Sequence, residues 1–338
     1  MIFFDLTKTG RSGHRSGLMR VSARLAEELG PAAQPVSWAT WDRRMDAGDW
    51  FLTSELFSEE ERPGLTEFLA AHSRQTAAIF HDAIPLKHPH ITWPQSVARH
   101  PSYLKLLAKF ARVWAVSAAS RDELLGFWGW QGLDKMPPVE VLSLGADFNR
   151  SARSRRMDGA RRAASLVSVG ILEPRKNQML LLNASETLWS EGLVFELNIV
   201  GRVNPHFGAP ILARIRALKK RFQGLCYHAA ADDAAVATLY ARARASIFPT
   251  IAEGCGLPLL ESLWQGVPCL CSDLPVLREN AAAGGCWAVA TNDLFAWTEA
   301  LRHLLTEDLR VAQLELEVAT RSLPIWAEAA SQLRSVLS

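Results

Sequence analysis

A chain of 338 residues, 49% hydrophobic, is long enough for two domains with separate cores. Its 37 basic and 35 acidic side chains leave a formal charge of +2, which argues against a bulk nucleic-acid binder. The five cysteines (Cys226, Cys255, Cys269, Cys271, Cys286) make no Cys-x-x-Cys pair, and no apolar run reaches signal-peptide or membrane-spanning length, so reduced thiols in a cytoplasmic protein are expected.

Residues 1–5 read as a first strand. The loop Thr7–Gly17 follows, then a helix Leu18–Leu29 closed by Gly30. Between Leu6 and Arg24 stand Lys8, Arg11, Arg15, Arg20 and Arg24 with no acid. A strand, a glycine-rich basic loop and a helix face an anion, although a solvated loop would read the same way. The loop is neither a Walker loop nor Gly-x-Gly-x-x-Gly. Residues 37–63 are polar and rich in Trp and Glu, and a helix is expected near 64–73. The strand Thr76–Phe80 delivers His81 and Asp82 to its C-terminal end, where binding groups gather in open α/β sheets. The two are read either as a site or as a structural hydrogen-bonded pair.

The segment from Ile84 to Pro101 is expected as a long loop, followed by a helix from Tyr103 to Ala111 and a strand Val113–Val116. Ser120 is placed as the cap of a helix Arg121–Phe127. Phe127, Trp128 and Trp130 are either an exposed patch or loop packing. Lys105, Lys109 and Arg112 fall on one helical stripe, which motivates an expected peripheral contact with anionic membranes. Val139–Leu142 is a further short strand. Ser151–Arg162 lacks large apolar residues and carries Arg153, Arg155, Arg156, Arg161 and Arg162 against Asp158 alone, so it is expected to link two domains.

Strand and helix alternate again from Ser165–Gly170. Leu172-Glu-Pro-Arg175-Lys176-Asn177 follows, then a helix to about Trp189, a strand Leu197–Gly201 and a basic helix over 209–222. Next come a short strand at Cys226, a helix Ala234–Arg244 capped by Asp232 or Asp233, and a strand Ala245–Phe248. That strand leads into Thr250-Ile-Ala-Glu253-Gly254-Cys255-Gly256-Leu257-Pro258-Leu-Leu-Glu261. Seven residues separate the glutamates. Pro258 suits the first position of a helix, and Gly266 suits its end. The small loop opens a helix N-terminus to phosphate, and Glu261, expected in the first turn, offers its carboxylate to sugar hydroxyls. An ordinary loop–helix joint has the same pattern, just as Arg175-Lys176 taken alone is also a common surface pair. Val267–Ser272 reads as a strand, Arg278-Glu279, an Ala/Gly turn and Trp287–Ala290 follow, and helices run from there to the end, the last with Trp326, Ala330, Leu333 and Leu337 on one face.

In this order and spacing the pieces resemble the retaining glycosyltransferases of family 4. The resemblance is strongest from Leu166 to Glu279, through Ser168–Asn177, Leu197–Gly201 and Pro249–Ser272. The first half adds Gly17–Val21, Phe80–Pro85 and Ala115–Ser120. It implies an α/β chain of GT-B fold, two Rossmann-like βαβ domains facing a central cleft. The expected parts are residues 1–150 for the acceptor, a linker 151–162, residues 163–322 for the nucleotide sugar, and a C-terminal helix 323–338 docking across the domains.

The implied activity moves a hexose of mannose, rhamnose or fucose type from a nucleoside-diphosphate sugar to a glycan or lipid-linked glycan. The subgroup resembles bacterial surface-polysaccharide transferases. No cofactor and no metal are implied, no Asp-x-Asp occurs in the chain, and a GDP-sugar is favoured over UDP- or dTDP-sugars. A cytoplasmic place at the inner face of the plasma membrane and no nucleic-acid partner go with this. His81, Arg175, Lys176 and Glu253 are the implied catalytic residues. Gly17, Gly170, Arg175, Lys176, Gly254, Cys255, Gly256, Leu257 and Glu261 are implied to bind the donor, with Arg175 and Lys176 on the diphosphate and Glu261 on the ribose. Two departures stand out: Cys255 where the family has Phe, and Ala229 or Ala230 where it has glycine. A non-catalytic nucleotide-sugar-binding partner and a nucleotide-sugar epimerase stay open as alternatives.

Overall fold

The structure, a computed structural model, describes residues 1–11, 17–147, 150–157 and 162–337. Gly13 and Arg15 of the basic loop, and Asp158 and Arg161 of the expected linker, lie outside the described residues. The chain divides into two compact units, Met1–Gly145 with Pro324–Ser338 and Ala146–Leu323.

The first unit runs β1 (Ile2–Asp5), α1 (Gly17–Leu29), β2 (Ala33–Val36), β3 (Trp50–Thr53), α2 (Leu65–Ala71), β4 (Thr76–Phe80), α3 (Ile84–Lys87), α4 (Pro94–Leu107), β5 (Arg112–Ala115), α5 (Ala118–Trp130) and β6 (Val139–Val141). Its strands pair in parallel in the order β2-β1-β3-β4-β5-β6. β4 is buried along its whole length, as a strand covered on both faces must be. Trp38, Phe51 and Phe68 pack edge to face with centroids 5.3–5.8 Å apart.

Five expectations change here. β3 lies inside the stretch read as polar, because its four residues are too few to stand out, yet it sits between β1 and β4. The expected loop Ile84–Pro101 is largely helical, with Pro101 inside α4. The helix stops at Leu107, so Lys105, Lys109 and Arg112 share no helical stripe; Arg112 lies in β5 and pairs with Glu140. The cap of α5 is Ser117, whose hydroxyl accepts from the Ser120 amide at 3.0 Å. Finally, α5 runs on to Trp130, which is 78% exposed, whereas Trp128 is buried and donates to the Leu104 carbonyl.

The second unit runs β7 (Ser165–Val169), α6 (Gln178–Ser190), β8 (Glu196–Val200), α7 (Ala209–Lys219), β9 (Leu225–His228), α8 (Asp233–Arg242), β10 (Ala245–Phe248), α9 (Leu257–Trp264), β11 (Cys269–Ser272), α10 (Pro275–Ala281), β12 (Cys286–Val289), α11 (Leu294–Thr306) and α12 (Asp308–Thr320). All strands are parallel, in the order β12-β11-β10-β7-β8-β9, so strand order reverses between β10 and β7. Asp232 caps α8, accepting from Ala235 N at 2.8 Å.

The arginine-rich segment is not a free tether where it is described. Arg156 is buried and donates to the carbonyls of Tyr240, Ala241 and Ala243 at the C-terminus of α8. Arg153 donates to Val318 O in the last turn of α12. Cations satisfy the unpaired carbonyls and the negative pole of a helix end, which is what these arginines do.

The chain then returns to the first unit. α13 (Trp326–Leu337) packs its Trp326, Ala329, Ala330 and Leu333 face on α1, and Arg334 donates to Glu28 O at 2.8 Å. Among the described residues no helix is long and apolar enough to cross a membrane.

Candidate functional site

In open α/β sheets ligands bind beyond the C-terminal ends of strands where strand order reverses. In the second unit this point lies between β7 and β10, and the two loops that leave it are tied together. Ile251 N and Thr250 Oγ1 both donate to the Arg175 carbonyl, at 2.9 and 3.0 Å. The floor beneath is backbone: a Cβ on Gly201 would stand 2.1 Å from the Gly170 carbonyl oxygen, and the stem of Lys176 covers Gly170.

Arg175 and Lys176 occupy one short helical turn after Pro174, closed by Asn177 in left-handed conformation (φ 54°). Both reach the same carboxylate. Lys176 Nζ lies 2.5 Å and Arg175 Nη1 3.1 Å from Glu253 Oε1, which also accepts from Thr250 Oγ1 at 2.9 Å. Arg175 further holds Glu173 through Nε and Nη2, at 3.0 and 2.8 Å, and Asn204 steadies that glutamate from its other oxygen. Lys176 Nζ also lies 4.9 Å from the Phe248 ring centroid, a cation–π contact. The predicted dibasic pair is thus a partly buried ion network whose charges are already met by protein carboxylates.

Burial by itself would raise the Glu253 carboxyl, but the charges of Lys176 and Arg175 outweigh it and hold Glu253 below the ordinary carboxylate value. Burial also pushes Lys176 below the usual lysine value, with Arg175 adding to the effect and Glu253 opposing it. An anion arriving at this turn meets two cations fixed in place, with Glu253 as its competitor.

The loop 253–256 ends in Gly256, the left-handed cap of α9 (φ 82°). A side chain there would be strained by the left-handed backbone, and its Cβ would stand 2.7 Å from the Leu277 side chain. Asn280 holds the loop by donating to the Cys255 carbonyl at 2.6 Å. The Cys255 thiol is pushed up to about 12, first by burial and then by the charges of Glu253, Glu279 and Glu261. Gly254, Leu257 and Glu261 complete this rim. α9 begins at Leu257, so Glu261 stands beyond the first turn rather than in it, and it is buried.

In the first unit, His81 follows β4 and is buried. Its Nε2 lies 2.7 Å from the Ser54 carbonyl, so Nε2 carries the proton and Nδ1 is left as the acceptor. Its own carbonyl accepts from Ser120 Oγ. Burial lowers its pKa, against the opposing effects of the Ser54 hydrogen bond and Asp82. Asp82 accepts from the Ile84 amide, so His81 and Asp82 are not the hydrogen-bonded pair considered from sequence. Gly17 opens α1, and nothing lies within 4 Å of where its Cβ would be.

Glu173, Thr250, Phe248 and Asn280 escaped the sequence reading. Glu173 had a usable signal, standing two residues before Arg175.

Residues 163–307 match the family described as Glycosyl transferases group 1. The serotype-specific mannosyltransferase WbdA of Escherichia coli is 29% identical over 305 residues, and a second WbdA sequence is 30% identical over 307. Each alignment covers 83% of this chain and 37% of the relative, so the chain spans little more than a third of the curated relatives it matches. O-antigen chain mannosyltransferase B of E. coli is 31% identical over 141 residues, 41% of this chain and 36% of that one. Among solved structures, Anabaena HepE in complex with UDP and glucose superposes with a TM-score of 0.68 at 14% identity, covering 99% of this chain and 98% of that one. WaaG, a glycosyltransferase involved in lipopolysaccharide biosynthesis, gives 0.64 at 15% identity with both chains fully covered. The shared architecture is the GT-B fold.

Proposed function

We propose that this chain, whose residues 163–307 belong to the group 1 glycosyl transferases, moves a hexose from a nucleoside-diphosphate sugar onto a glycan or lipid-linked glycan. The anomeric configuration is retained and no divalent metal takes part. The observation that carries this reading is the Arg175–Lys176–Glu253 network at the strand-order reversal, beside the Gly256-capped helix. As the glycosidic bond breaks, charge builds on the departing diphosphate. Two cations held rigid by buried carboxylates meet it without reorganising. The N-terminus of α9 adds its partial positive charge. Buried Glu261 takes the ribose hydroxyls. Neutral His81, with Nε2 tied to Ser54, presents an acceptor nitrogen in the first unit. A mannose-type donor, with GDP as its nucleotide, is favoured because the curated relatives are named as mannosyltransferases.

The test incubates GDP-mannose, UDP-glucose and dTDP-rhamnose separately with an acceptor glycan and follows nucleoside diphosphate release and product configuration by NMR. Arg175→Ala and Lys176→Ala each lower kcat by about 10²–10³. The effects are less than additive, since both groups act on one leaving group. Activity that vanishes in excess EDTA and returns with Mg²⁺ or Mn²⁺ refutes the metal-free reading. Inverted product refutes retention.

A further inference from the structure

Two cations and two carboxylates meet at the turn after β7, so Arg175, Lys176, Glu173 and Glu253 form a cluster of zero formal charge. Arg175 keeps 24% of its side chain in solvent and Glu173 keeps 15%, while Lys176 and Glu253 lie deeper. An anion that reaches the cluster therefore meets the Arg175 guanidinium first, with Glu173 beside it.

The two carboxylates hold different parts of that guanidinium. Nη1 donates to Glu253 Oε1 and to the Ala252 carbonyl, both at 3.1 Å. Nε and Nη2 reach Glu173 Oε1 at 3.0 and 2.8 Å. A planar guanidinium held on two sides keeps one orientation. Glu173 is fixed from behind as well, because its Oε2 accepts from Asn204 Nδ2 at 3.1 Å. The Asn204 side chain is itself turned that way. Its Oδ1 accepts from the backbone N–H groups of His206 and Phe207, at 2.9 and 3.3 Å, which leaves Nδ2 for Glu173. Asn204 N donates to the Leu172 carbonyl, one residue before Glu173. The loop has no slack, since a Cβ on Gly208 would stand 2.7 Å from that same carbonyl oxygen.

A cation beside a diphosphate speeds transfer only by the attraction it adds as charge builds in the transition state. Attraction that is equal in ground and transition states lowers KM and leaves kcat unchanged. Without a counter-charge, Arg175 would pull as hard on bound donor and released product as its full charge allows. Glu173 offsets that pull throughout the cycle and keeps the guanidinium aimed.

We infer that Glu173, seated by Asn204, is a positioning residue that fixes Arg175 and offsets its attraction for the ground-state and product diphosphate. The inference rests on the transferase reading and adds a residue that sets donor affinity against turnover.

Glu173→Gln keeps the shape and removes the charge, and Glu173→Asp keeps the charge with a shorter reach. Asn204→Asp keeps the acceptor for His206 and Phe207 and removes the donor to Glu173. GDP and inorganic pyrophosphate are titrated into the full chain by calorimetry at low and high salt. In parallel, kcat, KM and product inhibition are measured with whichever of the three donor sugars turns over, and Tm reports folding. Glu173→Gln is expected to bind both anions about threefold or more tightly at low salt, a gain that shrinks in high salt. Its kcat is expected to fall about tenfold or more. Glu173→Asp returns anion affinity to within about twofold of the parent and recovers part of kcat. Asn204→Asp lowers kcat with no gain in anion affinity. A role in folding alone would instead lower affinity, kcat and Tm together. Weaker or unchanged anion binding in Glu173→Gln overturns the inference, as does parent-like kcat in either Glu173→Gln or Asn204→Asp. The two readings fail separately. Parent-like affinity and turnover in Glu173→Gln of a chain that transfers sinks the role of Glu173 alone. Tighter pyrophosphate binding by Glu173→Gln, with no transfer by the parent from any donor, sinks the transferase alone.

Discussion

Glu253→Gln keeps the shape of the side chain and removes the charge between Arg175 and Lys176. In the parent, one carboxylate oxygen meets Lys176 Nζ at 2.5 Å and Arg175 Nη1 at 3.1 Å, with Glu253 only 8% exposed. At an effective dielectric of about 20, each pair attracts by roughly 5–7 kcal/mol, offset by desolvation and by repulsion between the two cations. What the substitution leaves behind is a buried lysine without a counter-charge, a situation that costs about 3–5 kcal/mol. For a domain of this size that corresponds to a fall in Tm of about 6–20 °C. The assay is thermal unfolding at pH 7.5 of parent, Glu253→Gln, Lys176→Met and the double variant. The double variant should recover more than half of the single loss, because the orphaned charge goes with it. A saturating nucleoside diphosphate should raise the Tm of Glu253→Gln more than that of the parent, since the ligand replaces the missing anion. If Glu253→Gln melts within about 2 °C of the parent, or if Lys176→Met restores nothing, the network does not hold this loop and the reasoning is wrong.

Three other predictions follow the same logic. Glu261→Ala should weaken nucleoside diphosphate binding by about 1.5–3 kcal/mol in calorimetry, and unchanged affinity would remove Glu261 from the ribose. His81 is held below 6.5, so below that pH the unfolded chain takes up a proton that the native state resists, and stability falls as pH drops from 6.5 toward 5; His81→Gln should flatten part of that slope, with His100 supplying a share of the same sign, and an unchanged slope contradicts this. Arg156→Ala should cost about 3 kcal/mol or more by stripping three carbonyls of α8 and Glu315 of a buried guanidinium, readable in urea unfolding of the second unit, and a loss under 1 kcal/mol argues against capping.

The donor-side loops were legible because their signals are local. Pro258 and Gly266 announce a helix start and a helix stop within ten or so residues, and the structure has both. The ion network was not legible, since Lys176 and Glu253 lie 77 residues apart and meet only because β7 and β10 are neighbours. The arginines of 153–156 misled for a related reason. Composition described a solvated tether, whereas the guanidinium groups of Arg153 and Arg156 have helix ends as partners, and those carbonyls are remote in sequence. β3 was hidden by length, and α4 by a proline that a helix in a packed domain can absorb.

The placement of α13 has a consequence for synthesis. The strands and other helices of the first unit leave the ribosome early, but the helix that covers α1 follows the whole of Ala146–Leu323. At ~5–20 residues per second that interval is on the order of ten to thirty seconds. Throughout it, the part of α1 that pairs with α13 in the finished protein has no α13 to meet, and the nascent chain carries an apolar stripe in water. Chaperones bind such exposed stripes, so ribosome-bound chains halted near residue 320 should crosslink to them through α1, and chains extended past residue 338 should not.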